Sequence, residues 1–541
     1  MATIAPGTGT PFEERAVFVR KATGLVRGWS VRDAFIYATF AINLVTLGWY
    51  IFAFAPATVA NGSLLWAVLV GGAYLIFQAI TYAALIAVMP RAGGDYVWMS
   101  RVLGGGIGFV LAVCGWWFIL WHWVPIYANI LQTQVLQPLS AIVGWHGGLT
   151  FWVGHTGTFV ASIITALLAT LFIALGIRTY ARIQKFCFYG GLVGLVVMAI
   201  ALLATSKSGF VHDFNTQAHK LYPGAGSNAY QATLKAGTNG YTPTNLGSFN
   251  VSGVLLLLPL LMFFNLWSNW GATLYGEVRG ASDFRKNIYA MGGALIFTTA
   301  LAAIFFLLFA KTFGWHWYEA ANFAYSTGPL GVVPYPGTFA AFILGARIWQ
   351  FILILLLTLW FIGWVGSVFL SSTRVVFATA FDRVLPEWAA SVSRSGVPYG
   401  ALALMLIPSI PISALYAYSP KFASYTLDAT LVIAITFLGT TVAAGILPWR
   451  KPEIYNASPI AKYRVLGLPV ITVAALLFGV ILVFALVKWF SDSAYGVNHS
   501  SSLIYMGCLY ALALAIYLIS RVARRRQGMD LGMVYGEIPV E

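Results

Sequence analysis

Asn265, Ser268, Asn269 and Gly271 fall in the stretch FFNLWSNWG, directly after the apolar run VSGVLLLLPLLM. Amide and hydroxyl side chains bring donors and acceptors, and glycine lets the backbone leave helical geometry. A second cluster of the same kind, Asn43, Thr46 and Gly48, lies in AINLVTLGWYIF between apolar shoulders. The chemistry such interruptions offer is ligation of a small polar solute. Bare N–H groups at the start of a half-helix attract a carboxylate, and bare carbonyls at the end of the other half hold an ammonium or a cation. A single Asn or Ser in an apolar helix more often glues helices together. Two clusters at matching positions favour a shared cavity, which makes Asn43, Thr46, Gly48, Asn265, Ser268 and Asn269 candidate substrate-binding residues.

The elements that must hold these residues are membrane helices. The chain has 541 residues, 60% of them hydrophobic and 9% charged, with a mean hydropathy of +0.81. Soluble domains carry about 25% charged residues. Twelve apolar runs are long enough to span, since a crossing needs roughly 20 residues. They lie near 33–58, 63–89, 106–135, 157–177, 184–205, 251–275, 288–310, 340–371, 399–418, 425–447, 467–488 and 502–521. The predicted fold class is therefore an all-α membrane protein with twelve transmembrane helices. The polar clusters sit in spans one and six. Two five-helix repeats would put those spans in corresponding positions, and paired interruptions of this kind point to the substrate site of a secondary transporter.

Most of the 31 Lys and Arg fall in alternate loops. Arg91 and Arg101, Arg178 and Arg182, Arg279 and Arg285, Arg374 and Arg383, and the run RVARRR at 521–526 all lie on the side of the N-terminus. By the positive-inside rule both termini are cytoplasmic, and the expected location is the cytoplasmic membrane. The net charge of +15 is spread over these loops and forms no nucleic-acid-binding patch. The first thirty residues lack the short apolar core of a cleavable signal. Cys114, Cys187 and Cys508 sit in apolar runs without paired spacing, and no His and carboxylate pattern suits a metal.

Three further stretches carry a resemblance: MPRAGGDYVWMSRVLG from Met89, GEVRGASDFRKNI from Gly276, and SSTRVVFATAFDRVLPEWAASVSRSGVPYGAL from Ser371. Pro90, Ala92, Gly93, Gly94 and Tyr96 form one pattern. Ser372, Arg374, Asp382, Leu385, Pro386 and Gly396 to Pro398 form a second. Together they resemble the amino acid permeases of the amino acid–polyamine–organocation transporter superfamily. The resemblance covers roughly residues 30 to 450.

It implies a LeuT-like five-plus-five inverted repeat with two additional C-terminal helices. The organisation is then a tail (1–30), a first repeat (31–205), an extracellular loop (206–250), a second repeat (251–447), helices eleven and twelve (448–521) and a second tail (522–541). The first-span break in that family is usually G-S-G-I-F, where this chain has Thr46, Leu47, Gly48, Trp49 and Tyr50. Phe263 falls where the family places an aromatic gate above the substrate. Proton-coupled members often carry a Lys on span five; Gly191 stands at that position here. The facing part of span eight runs from Gly363 to Ser367, so Gly191, Gly363 and Ser367 mark the implied coupling-ion region, for H+ or Na+.

The expected function is a secondary active transporter for an amino acid or related small amine, working by alternating access as an ion-coupled symporter or antiporter. It needs no cofactor and is no enzyme. The alternatives are a channel, or a carrier of another solute on the same fold. Several other residues read as structural. Asp33 and Asp428 sit near span ends as interface anchors, with Arg347 a partner for Asp428. His122 reads as a packed structural histidine, Trp145, Trp315 and Trp317 as interface aromatics, and the 206–250 loop as a flexible connector.

Overall fold

The computed structural model describes Leu25 and residues 27–222, 224–425 and 429–536. Asp428 and its expected pairing with Arg347 lie outside the described residues. Among the described residues, twelve helices are long and apolar enough to cross a membrane, at the positions expected. Spans one to six are Val31–Phe52, Leu64–Val88, Gly105–Val143, His155–Ala174, Ile177–Ala204 and Val251–Glu277. Spans seven to nine are Phe284–Thr327, Arg347–Phe381 and Tyr399–Tyr418. Span ten includes Ala429–Arg450, and Val470–Ser491 and Ser500–Arg526 complete the set. One short strand pair, Arg464–Val465 with Leu468–Pro469, is the only sheet among the described residues.

Span one starts where Ser30 and Asp33 form a reciprocal capping box. Lys185 of span five also reaches Asp33, at 2.8 Å, which pins the two helices together at the face bearing the termini. Spans one and six run antiparallel and touch along their length. A Cβ at Gly48 would meet Phe264 at 2.9 Å, and one at Gly271 would meet Tyr37 at 3.2 Å. Asn43 therefore lies opposite the start of the segment Leu266–Glu277, so the two polar clusters face each other.

The 206–250 segment is not a plain connector. It holds the helices Lys207–Leu221 and Ala229–Gly237. Phe210, Phe214, Ala218 and Leu221 recur at helical spacing and are buried, which is the amphipathic pattern of a docked helix. Their partners are in the last part of span seven, which turns at Gly314 (φ 85°) into the helix Trp315–Ala324. Trp317 stacks on Tyr230 at 4.9 Å and sits 4.9 Å from Phe214. Trp315 and Trp317 are thus buried under this outer cap rather than placed in an interface belt, whereas Trp145 is half exposed. Glu319 ties the cap down by accepting from Tyr241 Oη (3.1 Å) and Thr244 Oγ1 (2.8 Å).

The cap closes on a backbone contact. A Cβ at Gly237 would lie 1.9 Å from the Ala320 carbonyl oxygen. Gly237→Val is expected to undock the outer helices, because backbone cannot yield as a side chain can. Limited proteolysis checks this: cleavage within 206–250 should accelerate while the twelve-helix core stays intact.

Candidate functional site

Both interruptions expected from sequence are present. Span one is helical to Ile42, and Asn43 adopts a left-handed conformation (φ 44°, ψ 86°). A π-helical turn, Leu44–Gly48, follows before α-helix resumes at Trp49. Asn is one of the few residues that take this conformation at modest cost. Its side chain makes the turn self-sufficient: Oδ1 accepts from the Thr46 N–H at 3.1 Å, and Nδ2 donates to the Trp360 carbonyl of span eight at 3.1 Å. Span six is α-helical through Asn265, then runs as a tighter 3-10 segment from Leu266 to Glu277. Twelve such residues are far more than the three or four at which 3-10 runs usually stop.

A cavity of about 460 Å³ opens on the face opposite the termini, within the size range of small-molecule sites. Its wall carries Trp123 and Tyr127 of span three, Phe263 and Trp267 of span six, Trp364 of span eight, and Leu47 and Tyr50 of span one. Among the described residues, no Asp, Glu, Lys, Arg or His lines it. A smaller cavity of about 10 Å³ continues its floor between Ala41, Leu47, Trp270 and Ser367. The aromatic rings are ordered against one another. Tyr127 stacks on Trp364 with centroids 3.6 Å apart, Trp123 is parallel to Trp270 at 5.5 Å, and Trp267 stands edge-on to both Trp123 and Trp270. Tyr127 Oη and Ser367 Oγ share a hydrogen bond of 3.2 Å.

Below this floor the terminal face is sealed. Arg374 Nε and Nη2 donate to the two Glu277 carboxylate oxygens at 2.6 and 3.0 Å, joining the end of span six to span eight. Arg101 makes a second two-pronged pair with Asp382, at 2.5 and 2.9 Å, and Tyr96 Oη adds a bond to the same carboxylate at 2.9 Å. All four charged side chains are at most 2% exposed. Tyr37 Oη donates to Ser371 Oγ (2.9 Å), which donates to the Trp270 carbonyl (2.7 Å). The Gly93 N–H donates to the Thr273 carbonyl, and the Trp29 N–H to that of Glu277. The first contact joins the motif after span two to the unwound part of span six.

Of the candidate substrate residues, Phe263 lines the cavity, where it packs edge-on to Trp489. The others lie behind it in this conformation. Asn43 caps the break as above. The Thr46 carbonyl accepts from Gln134 Nε2 at 2.7 Å. Gly48 allows Phe264 to pack close. Asn265 points toward Gly71 of span two, with Nδ2 3.1 Å from where a Cβ would sit. Ser268 Oγ donates to Gln78 Oε1 at 3.1 Å. Asn269 is fully buried, and its amide approaches the Tyr82 hydroxyl.

The coupling-ion positions are likewise packed. A Cβ at Gly191 would meet the Trp360 indole nitrogen at 2.7 Å. The Gly363 carbonyl accepts from Gln184 Nε2 (3.0 Å) and Tyr180 Oη (3.2 Å). Ser367 is the one of the three that reaches the cavity floor. His122 is structural: Nδ1 and Nε2 are engaged by the Phe118 carbonyl at 2.9 Å and Tyr505 Oη at 2.8 Å.

The reading from sequence missed the tryptophans. Trp123 and Tyr127 stand at i, i+4 on span three, and Trp267 and Trp270 at i, i+3 beside the polar cluster. That spacing was a signal for an aromatic wall, but each residue alone passes for a packing side chain.

Twelve membrane helices, two of them interrupted opposite one another beneath an open vestibule, are the parts of a membrane carrier for a small solute. The chain belongs to the amino acid permease family, whose match runs over residues 34–514. It is also similar to the branched-chain amino acid permease BcaP of Lactococcus lactis subsp. cremoris (strain MG1363). The two are 22% identical over 480 residues, which cover 86% of this chain and 87% of that protein. The chain is accordingly a multi-pass membrane protein of amino acid transport.

Proposed function

We propose that this permease carries neutral amino acids with bulky apolar or aromatic side chains, by alternating access, with both termini in the cytoplasm. One observation carries the reading: the vestibule wall is aromatic and, among the described residues, holds no charged side chain. A Lys, Glu or polyamine substrate would lose its hydration there without a counter-charge, a cost of several kcal/mol or more. An apolar side chain gains from the same wall by leaving water, at roughly 25 cal/mol per Å². The name of the lactococcal relative points the same way.

In this reading the substrate enters the vestibule, its side chain rests among Trp123, Trp267 and Trp364, and Phe263 closes over it. Asn43, Thr46, Gly48, Asn265, Ser268 and Asn269 shape the two breaks that give the amino acid's polar end its backbone partners. The buried Arg374–Glu277 and Arg101–Asp382 pairs are the seal on the cytoplasmic side. The five-plus-five repeat would let one half rock against the other around that site. The carbonyls of Trp360 and Gly363 are already taken by Asn43, Gln184 and Tyr180, which favours H+ over Na+ as the coupling ion.

Counterflow into proteoliposomes tests the substrate class. Leucine, isoleucine, valine or phenylalanine is expected to exchange, while lysine, glutamate and putrescine are excluded. Preferential exchange of a charged amino acid or a polyamine would overturn the reading.

A further inference from the structure

One buried carboxylate takes no part in the seal or the vestibule. Asp95 opens the helix Gly94–Val102, between spans two and three, and is fully buried. Its Oδ1 accepts from Tyr82 Oη of span two at 2.7 Å and from Thr440 Oγ1 of span ten at 2.6 Å. Its Oδ2 is buried without a hydrogen-bond partner, and so is the Trp116 indole N–H of span three that approaches it. An ion held like this lacks the countercharge that buried carboxylates otherwise require.

The charged groups nearby are engaged elsewhere. Glu277 at the end of span six is held by Arg374 of span eight. Asp382 of span eight is held by Arg101 and Tyr96 of Asp95's own helix. Span ten faces Asp95 with Thr440, the unwound part of span six presents Asn269 and Thr273, and the start of span three offers no ionisable side chain within Gly105–Val113.

The site is joined to the vestibule by short links. Trp116 packs on Trp270 with centroids 4.5 Å apart, and Trp270 lines the floor of the deeper cavity. Asn269, next in the chain to Trp270, approaches the same Tyr82 hydroxyl that bonds Asp95. On the other side, the residues just before Asp95 hold the unwound segment of span six. The Gly93 N–H bonds the Thr273 carbonyl at 2.9 Å, and a Cβ at Gly94 would touch the Thr273 backbone at 3.0 Å.

From this juxtaposition the geometry points to Asp95 as the proton-binding site that couples an H+ gradient to transport, an inference that rests on the carrier reading above. While the terminal face is sealed, a proton on Oδ2 makes the carboxyl neutral and gives Oδ2 a donor of its own. Opening that face separates Gly93 from Thr273, lets water reach the carboxylate and releases the proton there. No covalent bond other than the O–H changes.

Burial pushes the Asp95 carboxyl up to about 6, against the Thr440 and Tyr82 donors that pull it down. The sealed form is then protonated below roughly that pH and ionised above it. Acid on the vestibule side should accelerate uptake as the pH falls through this range.

The test uses the full chain in proteoliposomes with leucine as substrate. With acid on the vestibule side, the unmodified protein is expected to accumulate leucine. Asp95→Asn should still bind and exchange leucine but lose gradient-driven accumulation by about tenfold or more, with a flat pH profile. Thr440→Val removes a donor to the carboxylate, so its pH midpoint should move up by about half a unit or more. Accumulation by Asp95→Asn with an unchanged pH profile would overturn the assignment. If Asp95→Asn does not fold, Thr440→Val decides, and an unmoved midpoint overturns it. Uptake by the unmodified protein that follows Na+ and ignores pH also overturns it while sparing the carrier reading. A protein that exchanges no amino acid at all removes both.

Discussion

Arg374→Gln is expected to cost about 3–5 kcal/mol of stability and to reduce uptake by at least an order of magnitude. The guanidinium holds both oxygens of Glu277 across a contact no more than 2% exposed. Removing it leaves a carboxylate in an apolar setting with only a neutral amide nearby. The double variant Glu277→Leu with Arg374→Met separates two roles for the pair. Apolar replacement of a whole buried pair is often neutral or stabilising, so thermal unfolding in detergent should return close to that of the unmodified protein. Uptake should not return with it. A seal made of charge can be hydrated when the terminal face opens, whereas a greasy contact has no such second state. Recovery of both stability and uptake by the double variant would make the pair simple structural glue.

Trp123→Ala is expected to weaken the apparent affinity for leucine or phenylalanine by about thirtyfold, the effect of losing about 2 kcal/mol at a buried aromatic anchor. Trp123 lines both cavities and is parallel to Trp270 and edge-on to Trp267. Its loss therefore removes contact area and loosens two neighbouring rings. Trp123→Phe keeps a ring in place and should recover most of the affinity. Initial rates of uptake against substrate concentration distinguish this from general damage. A binding role raises KM and leaves the maximal rate of properly inserted protein within a few-fold, while misfolding lowers the rate at every concentration.

How much of this was legible in the sequence follows from how local each signal is. The twelve spans are local: each is a run of apolar residues with basic residues at one end, and each lies where hydropathy put it. The two interruptions were legible for the same reason, since Asn43 and the NLWSNWG stretch stand out against their own flanks.

The direction of the side chains was not. An Asn in a broken helix can meet a solute, cap the break or bridge to another helix. Asn43 does the second and third, through Thr46 and a span-eight carbonyl more than three hundred residues away. The seal was equally hidden. Glu277, Arg374, Arg101 and Asp382 were each visible in a motif, but nothing local states which acid meets which base. Asp95 sits in a motif that reads as a loop, and its burial follows only from the packing of spans two, three, six and ten around it. The outer cap was misread because its polar, glycine-rich composition outweighs two short amphipathic helices whose apolar faces have partners in the distant helix Trp315–Ala324.

The account stands on the aromatic vestibule being the place where substrate binds. Ala57 lines that vestibule and is exposed. Among the cysteines Cys508 is exposed, while Cys114 and Cys187 are buried. An Ala57→Cys, Cys508→Ser variant can therefore be labelled with a membrane-impermeant thiol reagent applied on the face opposite the termini. The expected result is rapid labelling that saturating leucine slows strongly and lysine does not. Labelling that proceeds at the same rate with and without a transported amino acid would contradict the account.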